Sequence, residues 1–182
     1  MDSIRIKDKC FRISLSETEI KQRVKSLAEE MSRDLEGKNP LFLAVLNGSF
    51  IFAADLIREM TIPCEISFVK LASYQGTTST GKIHEVIGIN EDLSGRTVVI
   101  IEDIVDSGRT LALLRPTLEK RGAKSVKIAT LLSKPDRRVV DVPVEYIGAE
   151  IPDEFVVGYG LDYDEKYRQM DYIGILKPEV YN

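Results

Sequence analysis

A chain of 182 residues, 43% of them hydrophobic, has enough apolar surface for one core of ordinary size, so a single domain over 1–182 is expected. The formal net charge of -4 excludes duplex DNA and an anionic membrane as bulk partners, because both need concentrated Lys and Arg; any anion site has to be local. Cys10 and Cys64 are too few and too unpatterned for a disulfide framework or a thiolate metal centre, which points to free thiols in a reducing compartment. Residues Met1–Arg12 alternate charged with apolar side chains and hold no signal-peptide core. No apolar run reaches membrane-spanning length either, so the cytoplasm is the expected location.

Ser16-Glu17-Thr18-Glu19 reads as a capping box, in which a serine and the glutamate three residues on satisfy each other's backbone amides. A helix follows to about Leu35, with Ile20, Val24, Leu27, Ala28, Met31 and Leu35 at three- and four-residue spacing and Gly37 and Pro40 as the stop. The continuous apolar run Leu41–Leu46 predicts a strand buried on both faces, turning through Asn47-Gly48-Ser49 into a helix from Phe50 to Met60. Cys64–Leu71 reads as the next strand. Ala72–Lys82 is polar, rich in Gly, Ser and Thr, and has no core-forming residues.

Ile83–Ile89 and Thr97–Ile101 are expected strands, with Asp92-Leu93-Ser94-Gly95 as the turn between them. The second ends in Glu102-Asp103, passes through Ile104 to Thr110, and re-enters helix at Leu111, which closes near Gly122. Val126–Leu132 is a further strand, with shorter runs near Val144–Ile147 and Phe155–Val157. Strands alternating with helices predict an α/β fold with a mostly parallel central sheet, helices on both faces and right-handed crossovers. Ligands in such sheets bind beyond the carboxyl ends of the strands. The core is expected over about 16–157, with a small hood from 1–15 and 158–182.

The turn from Asp106 to Thr110 lies at such a strand end. Gly108 lets the backbone approach a ligand, Ser107 and Thr110 offer hydroxyls at a helix N-terminus, and Arg109 adds positive charge; a phosphate suits this set. Taken alone, the turn also reads as an ordinary helix cap. The two carboxylates just before it, Glu102 and Asp103, would repel an anion unless they meet sugar hydroxyls or a bridging divalent cation. The combination implies a phosphorylated sugar with Mg²⁺.

The stretch Val98-Val99-Ile100-Ile101-Glu102-Asp103-Ile104-Val105-Asp106-Ser107-Gly108-Arg109-Thr110-Leu111 resembles the phosphoribosyl-pyrophosphate motif of type I phosphoribosyltransferases. Leu46-Asn47-Gly48-Ser49, Ser73-Tyr74, Lys134 and Phe155-Val156-Val157-Gly158-Tyr159-Gly160-Leu161-Asp162-Tyr163 extend the resemblance to the hypoxanthine-guanine branch. It implies purine salvage: transfer of phosphoribosyl from phosphoribosyl pyrophosphate to a 6-oxopurine, in a homodimer or homotetramer. Residues Glu102 to Thr110, Ile104 included, would then hold the ribose and 5′-phosphate, and Asp106 would act as general base on an imidazole-ring nitrogen of the purine.

By the same resemblance Lys134 donates to the purine six-position oxygen, Phe155 stacks on the base and backbone groups of Val156 read its edge. Asp162, on the purine side, joins Glu102 and Asp103 around the metal. Arg168, Leu46, Asn47 and Gly48 take the pyrophosphate, often across a cis peptide matching Leu46–Asn47, and the loop with Ser73 and Tyr74 closes over the leaving group. The sequence departs from the pattern at Asn47, where a basic residue is common, so one positive charge for pyrophosphate is missing. His84, the only histidine, receives no role. Two rivals stand beside this reading: a regulator of the same fold that senses phosphoribosyl pyrophosphate, and a transferase for adenine, xanthine or a pyrimidine.

Overall fold

The computed structural model describes residues 3–6, 9–72 and 84–176. Two antiparallel strands, β1 (Ser3–Ile6) and β2 (Lys9–Leu15), lead into helix α1 (Glu17–Leu35). The capping box forms: Ser16 Oγ accepts from the Glu19 amide at 3.4 Å and the Glu19 carboxylate accepts from the Ser16 amide at 2.9 Å. The apolar stripe expected for this helix, Ile20 to Leu35, is buried. Gly37, at φ 72, lets the chain leave α1 in the left-handed region.

The chain continues through β3 (Leu41–Leu46), α2 (Phe50–Glu59), β4 (Glu65–Ala72) and β5 (His84–Ile87). Next come β6 (Thr97–Val105), α3 (Arg109–Lys120), β7 (Ser125–Ser133), a 3-10 turn over Pro135–Arg137 and β8 (Tyr146–Glu150). The six-stranded sheet has the order β5-β4-β3-β6-β7-β8, parallel from β4 to β8 with β5 antiparallel at the edge. Alternation along the central strands divides the core in two. Phe42, Ala44, Val99 and Ile101 pack towards α1 and α2, whereas Leu41, Leu43, Val98 and Ile100 pack towards α3.

Several boundaries differ from the sequence reading, among them those of β6, α3 and β8. β6 does not end at the acids but continues through Val105, pairing Glu102 with Thr130, Ile104 with Leu132 and Val105 with Ser133. The β-branched Ile104 and Val105 keep the ladder going past two charges. Helix α3 starts at Arg109, two residues earlier than expected, because Gly108 at φ 79 serves as its N-cap. β8 lies at 146–150 instead of 144–147. Its Gly148 leaves room for the neighbouring strand: a Cβ there would stand 2.7 Å from the Leu131 carbonyl oxygen.

A second sheet is antiparallel throughout, in the order β1-β2-β10-β9, with β9 at Val156–Val157 and β10 at Ile173–Leu176. It has its own apolar cluster of Phe11, Val157, Tyr167, Met170 and Leu176. Val156 and Val157 therefore pair in this hood and not with the parallel sheet. Both cysteines are free, and no helix among the described residues is long and apolar enough to cross a membrane.

Candidate active site

The carboxyl ends of β3, β6 and β7 converge on one side of the sheet. Where β6 gives way to α3, the turn is held from beneath: the Ser107 carbonyl accepts from the amides of Val139 at 3.1 Å and Val140 at 3.2 Å, and the Asp106 carbonyl accepts from Arg138 Nε at 3.2 Å. Gly108 has no alternative here. Besides its left-handed φ of 79, a Cβ on it would meet the Val140 carbonyl oxygen and Val142 Cγ1 at 2.9 Å each. Gly108 brings no side chain to cap α3, and the Arg109 amide donates to Ser107 Oγ at a long 3.4 Å. The opposite side of the turn opens into a hollow of ≈ 100 Å³ lined by Glu102 and residues 104–111. That is the liquid-state share of about three waters, a fit for an oxyanion facing the helix amides.

Glu102 lines this hollow, and Asp103 follows it on β6. Glu102 is 9% exposed, and burial first, then the negative charge of Asp103, hold its carboxyl well above the usual range. Asp103 is pushed up by burial too, offset in part by the Ile104 amide, which donates to its Oδ1 at 2.8 Å. A buried acid beside a half-buried one is a poor arrangement unless a shared proton, hydroxyls or a cation complete it. No group of three His, Cys, Asp or Glu among the described residues is arranged to hold a metal ion. A cation at Glu102 and Asp103 would thus need further ligands beyond these two.

The turn after β3 lies against the same acids. The Leu46–Asn47 peptide is cis, as the resemblance implied, and buried Ser49 donates from Oγ to the Val45 carbonyl at 2.6 Å. A Cβ on Gly48 would fall 1.8 Å from Asp103 Oδ2, so only glycine lets this backbone rest on that carboxylate. Gly160 rests in turn on Gly48, its own Cβ position lying 2.1 Å from the Gly48 carbonyl oxygen. Arg168 donates to the Gly160 carbonyl at 2.7 Å and pairs with Asp162 at 3.1 Å. The other Asp162 oxygen accepts from the Glu165 amide at 2.9 Å. Arg168 and Asp162 are therefore brought to the hood side of the turn, while Asn47 is exposed. Ser73 and Tyr74 lie outside the described residues.

Beyond β7, Lys134 is only 6% exposed, as lysines seldom are. Its amide donates to the Val105 carbonyl at 3.0 Å, fixing the residue beside the end of β6. Its Nζ lies 3.8 Å from Asp106 Oδ1 and 3.9 Å from Asp153 Oδ1, near both carboxylates yet beyond good hydrogen-bond distance to either. Arg137 completes the group, at 3.2 Å from Asp153 and 3.9 Å from Asp106. Asp106 keeps 45% of its side chain exposed. Phe155 is 43% exposed and meets Tyr163 edge to face at 5.9 Å, so it is not a core residue. Val156 beside it is buried.

Sequence reasoning passed over Asp153, Arg137 and Gly160. Single charges in polar loops carry no local mark of their partners. Gly160 did have a signal, the Gly-Tyr-Gly repeat at 158–160, whose glycines both take φ near 100.

The chain is similar to known proteins over most of its length. The model of the phosphoribosyl transferase domain matches residues 15–164. The hypoxanthine-guanine phosphoribosyltransferase of Lactococcus lactis subsp. lactis is 47% identical over 172 residues, covering 94% of this chain and 93% of that protein. The crystal structure of a hypoxanthine phosphoribosyltransferase from Staphylococcus aureus superposes with a TM-score of 0.89 at 42% identity, covering 94% of each chain. A hypoxanthine-guanine phosphoribosyltransferase from Bacillus anthracis, solved with a HEPES molecule in its active site, gives 0.87 at 43% identity over 91% of this chain and 98% of that one.

Proposed function

The chain belongs to the phosphoribosyltransferase family, and from its site we infer a purine-salvage enzyme that transfers the phosphoribosyl group of phosphoribosyl pyrophosphate to hypoxanthine or guanine. The products are the nucleoside monophosphate and pyrophosphate. One observation carries the reading: a phosphate-sized hollow at the start of α3 is lined by the buried Glu102, next to Asp103, while a buried lysine stands 3.8 Å from the half-exposed Asp106.

In this reading the 5′-phosphate sits on the amides of residues 107–110, with the Ser107 and Thr110 hydroxyls and Arg109 beside it, and the ribose hydroxyls meet Glu102 and Asp103. The turn Leu46-Asn47-Gly48 and Arg168 take the pyrophosphate. Phe155 lies against the purine face and the Val156 backbone against its edge. As purine N9 forms its bond to C1′, the bond from C1′ to pyrophosphate oxygen breaks and its electron pair leaves with the pyrophosphate. Asp106 accepts the proton from N7, and Lys134 donates to O6, where negative charge grows as that proton departs.

Mg²⁺ fits the acid pair, since burial holds both carboxyls above their usual range, Asp103 adds to this at Glu102, and a hard cation would restore both to carboxylates. Glu102 and Asp103 would hold it through their carboxylate oxygens. Asp162 would contribute from the hood side by exchanging its contact with Arg168. The ion supplies charge neutralisation on the departing pyrophosphate. We place the reaction in the cytoplasm, which suits the two unpaired cysteines.

Purified protein given Mg²⁺, phosphoribosyl pyrophosphate and each base in turn tests the assignment. Hypoxanthine or guanine is expected to yield nucleotide with kcat/KM at least ~100-fold above adenine, the scale on which a buried polar contact rejects a base lacking its partner. Comparable use of adenine would remove the role given to Lys134. Binding of the sugar phosphate without turnover of any base would make the protein a sensor.

A further inference from the structure

The Tyr159 hydroxyl donates to Asp55 Oδ2 at 2.5 Å, joining two residues 104 positions apart and bridging α2 to the loop that leaves β9. Tyr159 is 6% exposed. Its burial, then its bond to Asp55, hold the phenol well above the ordinary tyrosine range, so the hydroxyl remains a donor throughout the physiological range. Neither side chain is among those assigned to substrate.

Backbone on both sides of this bond is committed to the site. Gly158, Tyr159 and Gly160 have φ of 104, 52 and 99, a left-handed run that a tyrosine adopts only under constraint. The Tyr159 amide donates to the Met170 carbonyl at 2.8 Å and the Gly160 amide to the Arg168 carbonyl at 2.9 Å. Gly160 rests on the Gly48 carbonyl, and Gly48 on Asp103. Helix α2, which carries Asp55, grows directly out of the turn containing Gly48, its first amides bonding back to Asn47 at 3.3 Å and Ser49 at 2.8 Å. The chain thus closes a ring: turn, α2, Asp55, Tyr159, Gly160 and back to the turn. Tyr159 packs in the core with α1 and α2 and, with Asp55, also lines a hollow of ≈ 360 Å³ there, so the hydrogen bond is what ties the phenol to one point of α2.

We propose that Asp55 and Tyr159 are positioning residues whose hydrogen bond sets Gly160 against Gly48 and thereby fixes the turn that takes pyrophosphate. The proposal rests on the assignment of that turn to pyrophosphate made above. Neither residue touches the reacting atoms.

Tyr159→Phe removes the hydroxyl and keeps the ring, Asp55→Ala removes the acceptor, and Asp55→Asn keeps a carbonyl oxygen in place. Steady-state kinetics and calorimetric titration with inorganic pyrophosphate and Mg²⁺ read the outcome, well below each variant's melting temperature. Tyr159→Phe and Asp55→Ala are expected to raise KM for phosphoribosyl pyrophosphate and weaken pyrophosphate binding roughly tenfold, the scale of one hydrogen bond to a charged group. KM for hypoxanthine should stay unchanged, Asp55→Asn should retain most of the affinity, and the double variant should be no worse than either single one. A lowered melting temperature with unaltered binding would reduce the bond to a structural role and overturn the proposal, as would an equal rise in KM for the base. Since calorimetry needs no base, unchanged binding in the variants sinks the tether alone; a wild type that binds no pyrophosphate sinks the tether together with the assignment beneath it.

Discussion

Asp106→Asn is expected to lower turnover with hypoxanthine by about 10²–10⁴-fold, the contribution typical of a general base, while leaving affinity for phosphoribosyl pyrophosphate unchanged. The two effects separate because two parts of one residue do different things. Its carbonyl is held by Arg138 at 3.2 Å and shapes the turn, and asparagine preserves that. Its carboxylate faces outward beside Lys134 and Arg137, at 3.8 and 3.9 Å, and asparagine leaves the volume but not the proton acceptor. Loss of a negative charge close to a bound phosphate does not weaken that phosphate's binding. Initial rates compared with calorimetry on the sugar phosphate and Mg²⁺ decide the matter. Equal losses in both would place the side chain in binding and not in proton transfer.

The next largest effect is expected at Lys134. Lys134→Met keeps an unbranched apolar stem at this buried position and removes the buried one of the two cations that stand between Asp106 and Asp153. If the ammonium donates to O6 as charge develops there, kcat/KM for hypoxanthine should fall by about 10²–10³-fold, as for loss of a single oxyanion donor. Adenine, which has no oxygen at that position, should lose far less, so the ratio between the bases should collapse. Fold integrity is not at stake in the same way. Asp106 and Asp153 keep 45% and 50% of their side chains in solvent, and Arg137 remains to pair with them. A variant that loses activity on both bases by the same factor would show Lys134 to be a counter-ion for its neighbours and not a reader of the base.

Local chemistry accounts for what was legible in advance. The capping box at Ser16 and the run Leu41–Leu46 need only neighbours in sequence, and both were found where expected. The turn at 106–110 was readable for the same reason, since glycine, hydroxyls and helix start lie within a few residues. Strand β6 was cut short because Glu102 and Asp103 look like the end of a hydrophobic run, whereas the ladder to β7 continues as long as Ile104 and Val105 can pair. The cis bond at Leu46–Asn47 was implied only by resemblance; nothing in the composition of that turn demands it. Contacts made by topology left no trace in the sequence at all. Asp153 reaches Lys134 across a loop, and Tyr159 reaches Asp55 across 104 residues, because strand order brings them together.

The account depends most on one pocket holding a phosphate at the start of α3 and a ribose on the acids beside it. A crystal structure of the protein with inosine monophosphate and Mg²⁺ tests this directly. Phosphate oxygens are expected about 3 Å from the backbone amides of residues 107–110, with the ribose hydroxyls on Glu102 and Asp103 and the purine between Phe155 and Lys134. A nucleotide bound elsewhere, with the hollow at 104–111 left to solvent, would contradict it.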